Sequence, residues 1–254
     1  MEEKKPLLAL KEIRKTFTTR DGELTALGSV SFNVFPQEFV SIVGPSGCGK
    51  TTLLKIIAGL MKQTDGEIVV DNQQFDPAHE VGFVFQKALL LDWRNILDNV
   101  LLPIEILKFN KADYMPRALE LLELVGLKGF EKSYPKELSG GMQQRVSLAR
   151  ALIHNPKVIL MDEPFGALDA ITREKMNLEL LRIWAGAKKT IIFITHEIQE
   201  AVFLSDRVIV LSARPSEMIG SLDIDLKRPR NLDVRTSGEF GKYAKEVYRL
   251  LDIT

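Results

Sequence analysis

Gly44-Pro45-Ser46-Gly47-Cys48-Gly49-Lys50-Thr51 carries the spacing G-x-x-x-x-G-K-T, which marks a phosphate-binding loop when a strand leads into it and a helix leaves it. Both flanks are in place. Phe39-Val40-Ser41-Ile42-Val43 is an apolar run of strand length, and Leu53, Leu54, Ile56, Ile57 and Leu60 recur at helical spacing. Glycines let successive N–H groups turn inward and form an anion site at the helix N-terminus, where the helix dipole also favours negative charge. In such a loop Lys50 reaches the β- and γ-phosphates of a nucleoside triphosphate, and the Thr51 hydroxyl ligates Mg²⁺. Cys48 reads as a tolerated small residue; an exposed thiol there would make ATP binding sensitive to alkylation.

Other strand ends also present polar groups. Val158-Ile159-Leu160-Met161 runs into Asp162-Glu163. An Asp there is the expected Mg²⁺-holding partner of Thr51, and Glu163 can orient or deprotonate water at the γ-phosphate; a chance acidic pair on a turn is the alternative. Val81-Gly82-Phe83-Val84-Phe85 delivers Gln86, placed to touch Mg²⁺ or the attacking water, although a lone glutamine is a weak signal. Thr190-Ile191-Ile192-Phe193-Ile194-Thr195 ends at His196, one of three histidines. Ligands gather at strand ends in open α/β sheets, and an imidazole there can hydrogen-bond a γ-phosphate. His79 and His154 read as surface residues.

Leu138-Ser139-Gly140-Gly141-Met142 sets a serine N-cap and two glycines before a helix that continues to Leu152. This is a second candidate anion cradle, and a plain capped helix satisfies the same residues. Phe17, on a strand ahead of the phosphate loop, can stack on adenine or be an ordinary strand aromatic. Neither a metal-ligand cluster nor a serine-histidine-aspartate arrangement is apparent, so hydrolysis of anything but phosphates has no support.

The elements that must position these residues alternate between strand and helix. Residues 7–10, 24–27 and 29–34 read as short strands, with Asp21-Gly22 as a turn. Residues 64–67 read as a turn before a strand at 68–70. The apolar stretch 88–93 lacks a clear period and is either core or an exposed patch. Residues 96–129 read as helical, and a further helix is expected over 171–184. Strands are expected at 207–211 and 218–226. Lys227-Arg228-Pro229-Arg230 reads as a solvated basic linker. Thr236-Ser237-Gly238-Glu239 has capping-box spacing ahead of a last helix with Phe240, Tyr243, Val247 and Leu251 as its apolar stripe.

A chain of 254 residues with 45% hydrophobic content can bury one large core, or a core plus a subdomain. Its 34 basic residues balance 34 acidic ones, so nucleic acid is not expected as the main ligand. A single cysteine excludes an internal disulfide and fits a reducing compartment. The charged stretch 1–6 has no signal-peptide core behind it, and no run of about 18 apolar residues occurs. A soluble chain with at most a peripheral membrane role is expected.

Taken in order, these stretches resemble the ATP-binding cassette family over nearly the whole chain. Residues 44–51 match its Walker A motif, Gln86 the Q-loop, 138–142 the signature, 158–163 Walker B, Ala167-Leu168-Asp169 the D-loop, and His196 the switch histidine. The resemblance implies an α/β fold: a P-loop NTPase core at 1–87 and 156–226, with a mixed sheet, flanking helices and an N-terminal antiparallel β subdomain. An inserted α-helical signature subdomain is implied at 88–155, and a C-terminal linker and helix at 227–254. ATP and Mg²⁺ are the implied cofactors. Nucleotide contacts would come from Phe17, where the family usually has tyrosine, from Gly44, Pro45, Ser46, Gly47, Cys48, Gly49, Lys50, Thr51 and Thr52, and from Ser139, Gly140, Gly141 and Asp169. Thr51, Gln86 and Asp162 would serve Mg²⁺, with Glu163, His196, Lys50 and Gln86 in catalysis.

The resemblance also implies a homodimer of ATP-binding subunits, in which the signature of one faces the Walker A loop of the other and ATP is sandwiched between them. Within the family, residues 89–100 together with 163–169 resemble bacterial importers of the nitrate, sulfonate and taurine group. That implies transmembrane permease subunits docking near Gln86 and the 89–93 patch, a periplasmic or lipoprotein solute-binding protein acting indirectly, no nucleic acid, and a peripheral location at the cytoplasmic face of the membrane. A soluble cassette ATPase of DNA repair or translation is the alternative, but the coiled coil, zinc modules or second cassette usual there do not occur in the sequence.

Overall fold

The computed structural model describes residues 5–20, 22–70 and 76–252. The charged stretch 1–4 and Asp21 of the expected turn lie outside the described residues. Along the chain the strands are β1 (Leu8–Thr19), β2 (Gly22–Val34), β3 (Phe39–Val43), β4 (Asp65–Val69), β5 (Val81–Val84), β6 (Val158–Asp162), β7 (Thr190–Ile194), β8 (Arg207–Leu211) and β9 (Ser216–Asp223). The chain divides into two compact units, one of Met1–Pro77 with Thr190–Thr254, the other Ala78–Lys189.

In the first unit the strands lie in the order β4-β1-β2-β9-β8-β3-β7. β8, β3 and β7 pair in parallel, whereas β1 pairs antiparallel with both β2 and β4. All five residues of β3 and of β7 are buried, which is why each reads as an unbroken apolar run: a parallel strand covered on both faces has no polar side. The strands expected at 24–27 and 29–34 are one long β2. Residues 65–67, expected as a turn, belong to β4. Gly66 holds φ +87°, and a Cβ on it would sit 2.4 Å from the Glu12 carbonyl oxygen. The glycine that resembles turn chemistry is there because β1 passes too close for any side chain.

The basic linker is solvated only at Lys227 and Pro229, and its two arginines are engaged. Arg228 Nη2 pairs with Asp206 at 2.7 Å. Arg230 is 5% exposed and donates from Nη1 to the carbonyls of Val202, Phe203 and Ser205. These carbonyls close the helix Ile198–Leu204, whose last turn has no intrahelical donors of its own. Burial, with the neighbouring Arg228 charge, pushes the Arg230 guanidinium down to about 10. The expected last helix forms over Gly238–Leu250, with Ser237 Oγ accepting from the Phe240 N–H at 3.2 Å and Phe240 and Val247 buried.

In the second unit β5 and β6 pair in parallel. The stretch 96–129 is broken into helices Ile96–Val100, Leu102–Ile106 and Lys111–Leu124. Two asparagines restart the chain: Asn95 Oδ1 accepts from Asp98 N–H at 2.7 Å, and Asn110 Oδ1 from Ala112 N–H at 3.2 Å. The helix Gly140–Leu152 begins at the expected N-cap, and Ala170–Ala187 covers the expected 171–184. His154 is not a surface residue. It is half-buried with Nε2 3.1 Å from the Val81 carbonyl oxygen, and burial pushes its imidazole below the usual value. His79 packs its ring 5.9 Å from that of Phe109. Among the described residues, no helix is long and apolar enough to cross a membrane.

Candidate functional site

The phosphate loop joins β3 to the helix Lys50–Ile57 in the first unit. That helix has Gly49 as N-cap, with no side-chain cap and no acidic residue in its first turn, so its N–H groups and positive dipole end are left for an external anion. Close packing forces the glycines. A Cβ on Gly44 would stand 2.8 Å from the Leu211 carbonyl oxygen, and one on Gly49 2.9 Å from Leu27 Cδ2, with φ at Gly49 of +117°. Lys50 is 5% exposed and folds back along the loop, donating to the carbonyls of Gly44 at 2.8 Å and Pro45 at 3.0 Å. The ammonium is thereby held inside the cradle. Cys48 is 1% exposed, so the condition for alkylation of its thiol is not met.

Phe17 lies on β1 opposite Leu24, half-buried, with Lys15 Nζ 5.1 Å from its ring centroid. His196 is exposed just after β7. Thr195, buried beneath it, donates to Glu200 Oε2 at 2.6 Å and accepts from the Glu197 N–H at 3.0 Å. This network grips the backbone on both sides of His196, so the ring stands on a rigid base. Nothing in a single sequence marked Thr195 or Glu200 apart from their closeness to the histidine.

The second unit carries the remaining residues. β6 ends at Asp162, and Glu163 follows with φ +46°, a conformation uncommon for a residue with a Cβ and concentrated at functional positions. The turn beyond it closes by Gly166 N–H to the Glu163 carbonyl at 3.1 Å. A Cβ on Gly166 would lie 3.3 Å from Gln86 Nε2 and 3.5 Å from Glu163 Oε2, so the amide and the carboxylate converge over a glycine that leaves them room. Asp169 is the N-cap of Ala170–Ala187, its Oδ1 accepting from the Thr172 N–H at 3.0 Å; a hydrogen bond from the Thr172 side chain, and after it this backbone bond, hold its carboxyl below the ordinary range.

Ser139 caps the helix Gly140–Leu152, with Oγ accepting from the Met142 N–H at 3.3 Å, and is itself exposed. Two residues further along the same helix were not singled out by sequence. Gln144 Nε2 donates to the Phe85 carbonyl at 2.9 Å. Arg150 donates to those of Ala88 and Leu89 at 2.6 and 2.8 Å. Together they bracket Gln86 from either side. Their signal was a buried-face glutamine and arginine where the helical period calls for apolar residues. Beside this bracket opens a groove of about 400 Å³, lined by Phe83, Phe85, Leu89, Pro103 and Ile106 among others. Of the expected patch at 89–93, Leu89 lines the groove, whereas Trp93 stands out to solvent at 75% exposure.

The donors expected for Mg²⁺, Thr51 in the first unit and Gln86 and Asp162 in the second, are of types that suit it. A hydroxyl, a carboxylate and an amide are hard oxygen ligands. Among the described residues, no group of three or more histidines, cysteines or carboxylates could hold a metal ion.

Comparison with known proteins gives a consistent result. The ABC transporter family profile matches residues 27–166. An uncharacterized ABC transporter ATP-binding protein of Methanocaldococcus jannaschii is 46% identical over 245 residues, covering 96% of this chain and 91% of that protein. An aliphatic sulfonates import ATP-binding protein of Bacillus thuringiensis is 43% identical over 242 residues, covering 94% of both. A nitrate import ATP-binding protein of Synechocystis is 41% identical over 251 residues, 96% of this chain and 94% of that protein. Among solved structures, a bacterial ABC transporter cassette in dimeric form is 37% identical, with a TM-score of 0.73 over 87% of this chain and 100% of that one. The same cassette was solved in a post-hydrolysis state bound to ADP and Pi, also at a TM-score of 0.73.

Proposed function

The chain belongs to the ABC transporter family, and from that premise we propose that it is the ATP-binding and ATP-hydrolysing subunit of a bacterial importer for a small solute such as nitrate, a sulfonate or taurine. The observation that carries the catalytic part is the convergence of Gln86 and Glu163 over Gly166, with Glu163 turned out by its positive φ. A carboxylate so placed can orient and deprotonate water for attack on a γ-phosphate. Lys50 and the loop backbone at 44–52, through the N–H groups of its non-proline residues, bind the β- and γ-phosphates, and Phe17 stacks on the base. Thr51, Asp162 and Gln86 serve Mg²⁺, which supplies charge neutralisation on the phosphate oxygens when bound. His196 hydrogen-bonds the γ-phosphate.

One chain has a single phosphate loop and a single signature. A two-fold dimer uses both surfaces reciprocally, with Ser139, Gly140 and Gly141 of one copy, and Asp169 near them, completing the nucleotide site of the other. ATP closes such a pair and hydrolysis releases it. The groove beside Gln86 is the seat for a permease subunit, so that opening and closing are transmitted through the bracket made by Gln144 and Arg150. The chain then sits peripherally on the cytoplasmic face of the membrane, and a solute-binding protein acts through the permease. Relatives named as import proteins favour this over a role in DNA repair or translation.

Affinity capture tests the proposal. Tagged Glu163→Gln protein from detergent-solubilised membranes with ATP brings down a multi-span membrane subunit, and Ile106→Glu, which charges the groove, loses that subunit while retaining ATP binding. Recovery of DNA- or ribosome-associated proteins alone would contradict it.

A further inference from the structure

Each glycine of the phosphate loop is touched by one short segment of the first unit, the turn from β8 to β9. A Cβ on Gly44 would meet the Leu211 carbonyl oxygen at 2.8 Å, one on Gly47 Arg214 Nη2 at 3.7 Å, and one on Gly49 Ser216 Oγ at 3.4 Å. The turn is closed on itself. Ser212 N–H donates to the Glu217 carbonyl at 2.9 Å, and Glu217 N–H to Ser212 Oγ at 3.0 Å. Its base is fixed by Ser216, fully buried and donating to the Ala26 carbonyl at 3.2 Å. From this base Arg214 Nη2 reaches the Gly47 carbonyl at 2.6 Å.

Gly47 holds φ +72°, and no other heavy atom beyond its chain neighbours would come within 4 Å of a Cβ placed on it. Its carbonyl shares a peptide with the Cys48 N–H, which makes only a long bond within the loop, to the Pro45 carbonyl at 3.3 Å. A charged donor on the carbonyl end of a peptide polarises the whole unit and strengthens the donor at its other end.

We propose that Arg214 is a positioning residue of the nucleotide site: it fixes the crown of the phosphate loop from outside and polarises the Gly47–Cys48 peptide, so that the Cys48 N–H binds a nucleotide phosphate more strongly. The inference rests on the reading of residues 44–51 as the ATP phosphate site.

Direct titration with a fluorescent ATP analogue and Mg²⁺ tests it on the full chain. Arg214→Ala and Arg214→Gln weaken binding about fivefold, and Arg214→Lys, which keeps a charged donor, regains most of the loss. In steady-state hydrolysis the effect falls on KM for ATP rather than on kcat. The melting midpoint without nucleotide stays where it was, since the side chain is exposed and buries little. Equal affinities in all variants, a lysine variant as weak as alanine, or a loss that follows a lowered melting midpoint would each overturn the proposal. Failure of the unaltered chain to bind the analogue would instead overturn the phosphate-site reading beneath it.

Discussion

Glu163 holds a left-handed backbone, φ +46°, immediately after an apolar strand, and its carboxylate approaches Gln86 at Gly166. Such a conformation costs of the order of 1 kcal/mol or more and persists where surrounding structure imposes it. Here the imposing contact is the turn hydrogen bond from Gly166. The residue's place at the end of an apolar strand was legible from Asp162-Glu163 following Val158-Ile159-Leu160-Met161, but its φ was not, because nothing local in the sequence demands it. Glu163→Gln keeps the shape and removes the carboxylate proposed as the base. It retains ATP binding and slows hydrolysis about a hundredfold, measured as phosphate release at saturating ATP. Lys50 and Thr51 were legible as positions of the phosphate-loop spacing, and Ser139 as the N-cap of its helix. Arg214 was not, because its partner Gly47 lies far away in sequence.

At the scale of elements, the buried parallel strands β3, β6 and β7 were readable as apolar runs, and the polar residues at their ends fall where the sequence places them. The failures share a cause. Residues 65–67 and 227–230 were judged by local composition, whereas their structure is set by distant partners: Glu12 against Gly66, and the end of Ile198–Leu204 against Arg230. A guanidinium that caps a helix with no carboxylate bonded to it is a strong structural commitment. Arg230→Met leaves the carbonyls of Val202, Phe203 and Ser205 without their donor and destabilises the chain by about 3 kcal/mol, seen as a lower urea midpoint. An unchanged midpoint would mean that water replaces the cap without cost. Gln144 and Arg150, which hold residues 85 to 89 in place, show the same limit: a polar residue on a buried helix face is visible in sequence, but the carbonyls it grips are not.

For the whole molecule, the account is that of a cassette incomplete by itself. The phosphate loop in one compact unit and the serine before Gly140–Leu152 in the other both stand at helix N-termini, and in the proposed function each serves a nucleotide shared with a second copy. The match covers 96% of this chain against a relative at 46% identity, so the likeness extends over nearly the whole chain. The measurement that bears on this most directly is the sedimentation of Glu163→Gln protein with and without ATP and Mg²⁺. The account predicts a monomer without nucleotide and a dimer with ATP, with the dimer lost on further change of Ser139→Arg or Lys50→Ala. A chain that stays monomeric at saturating ATP, or that dimerises equally well when both helix ends are altered, would contradict it.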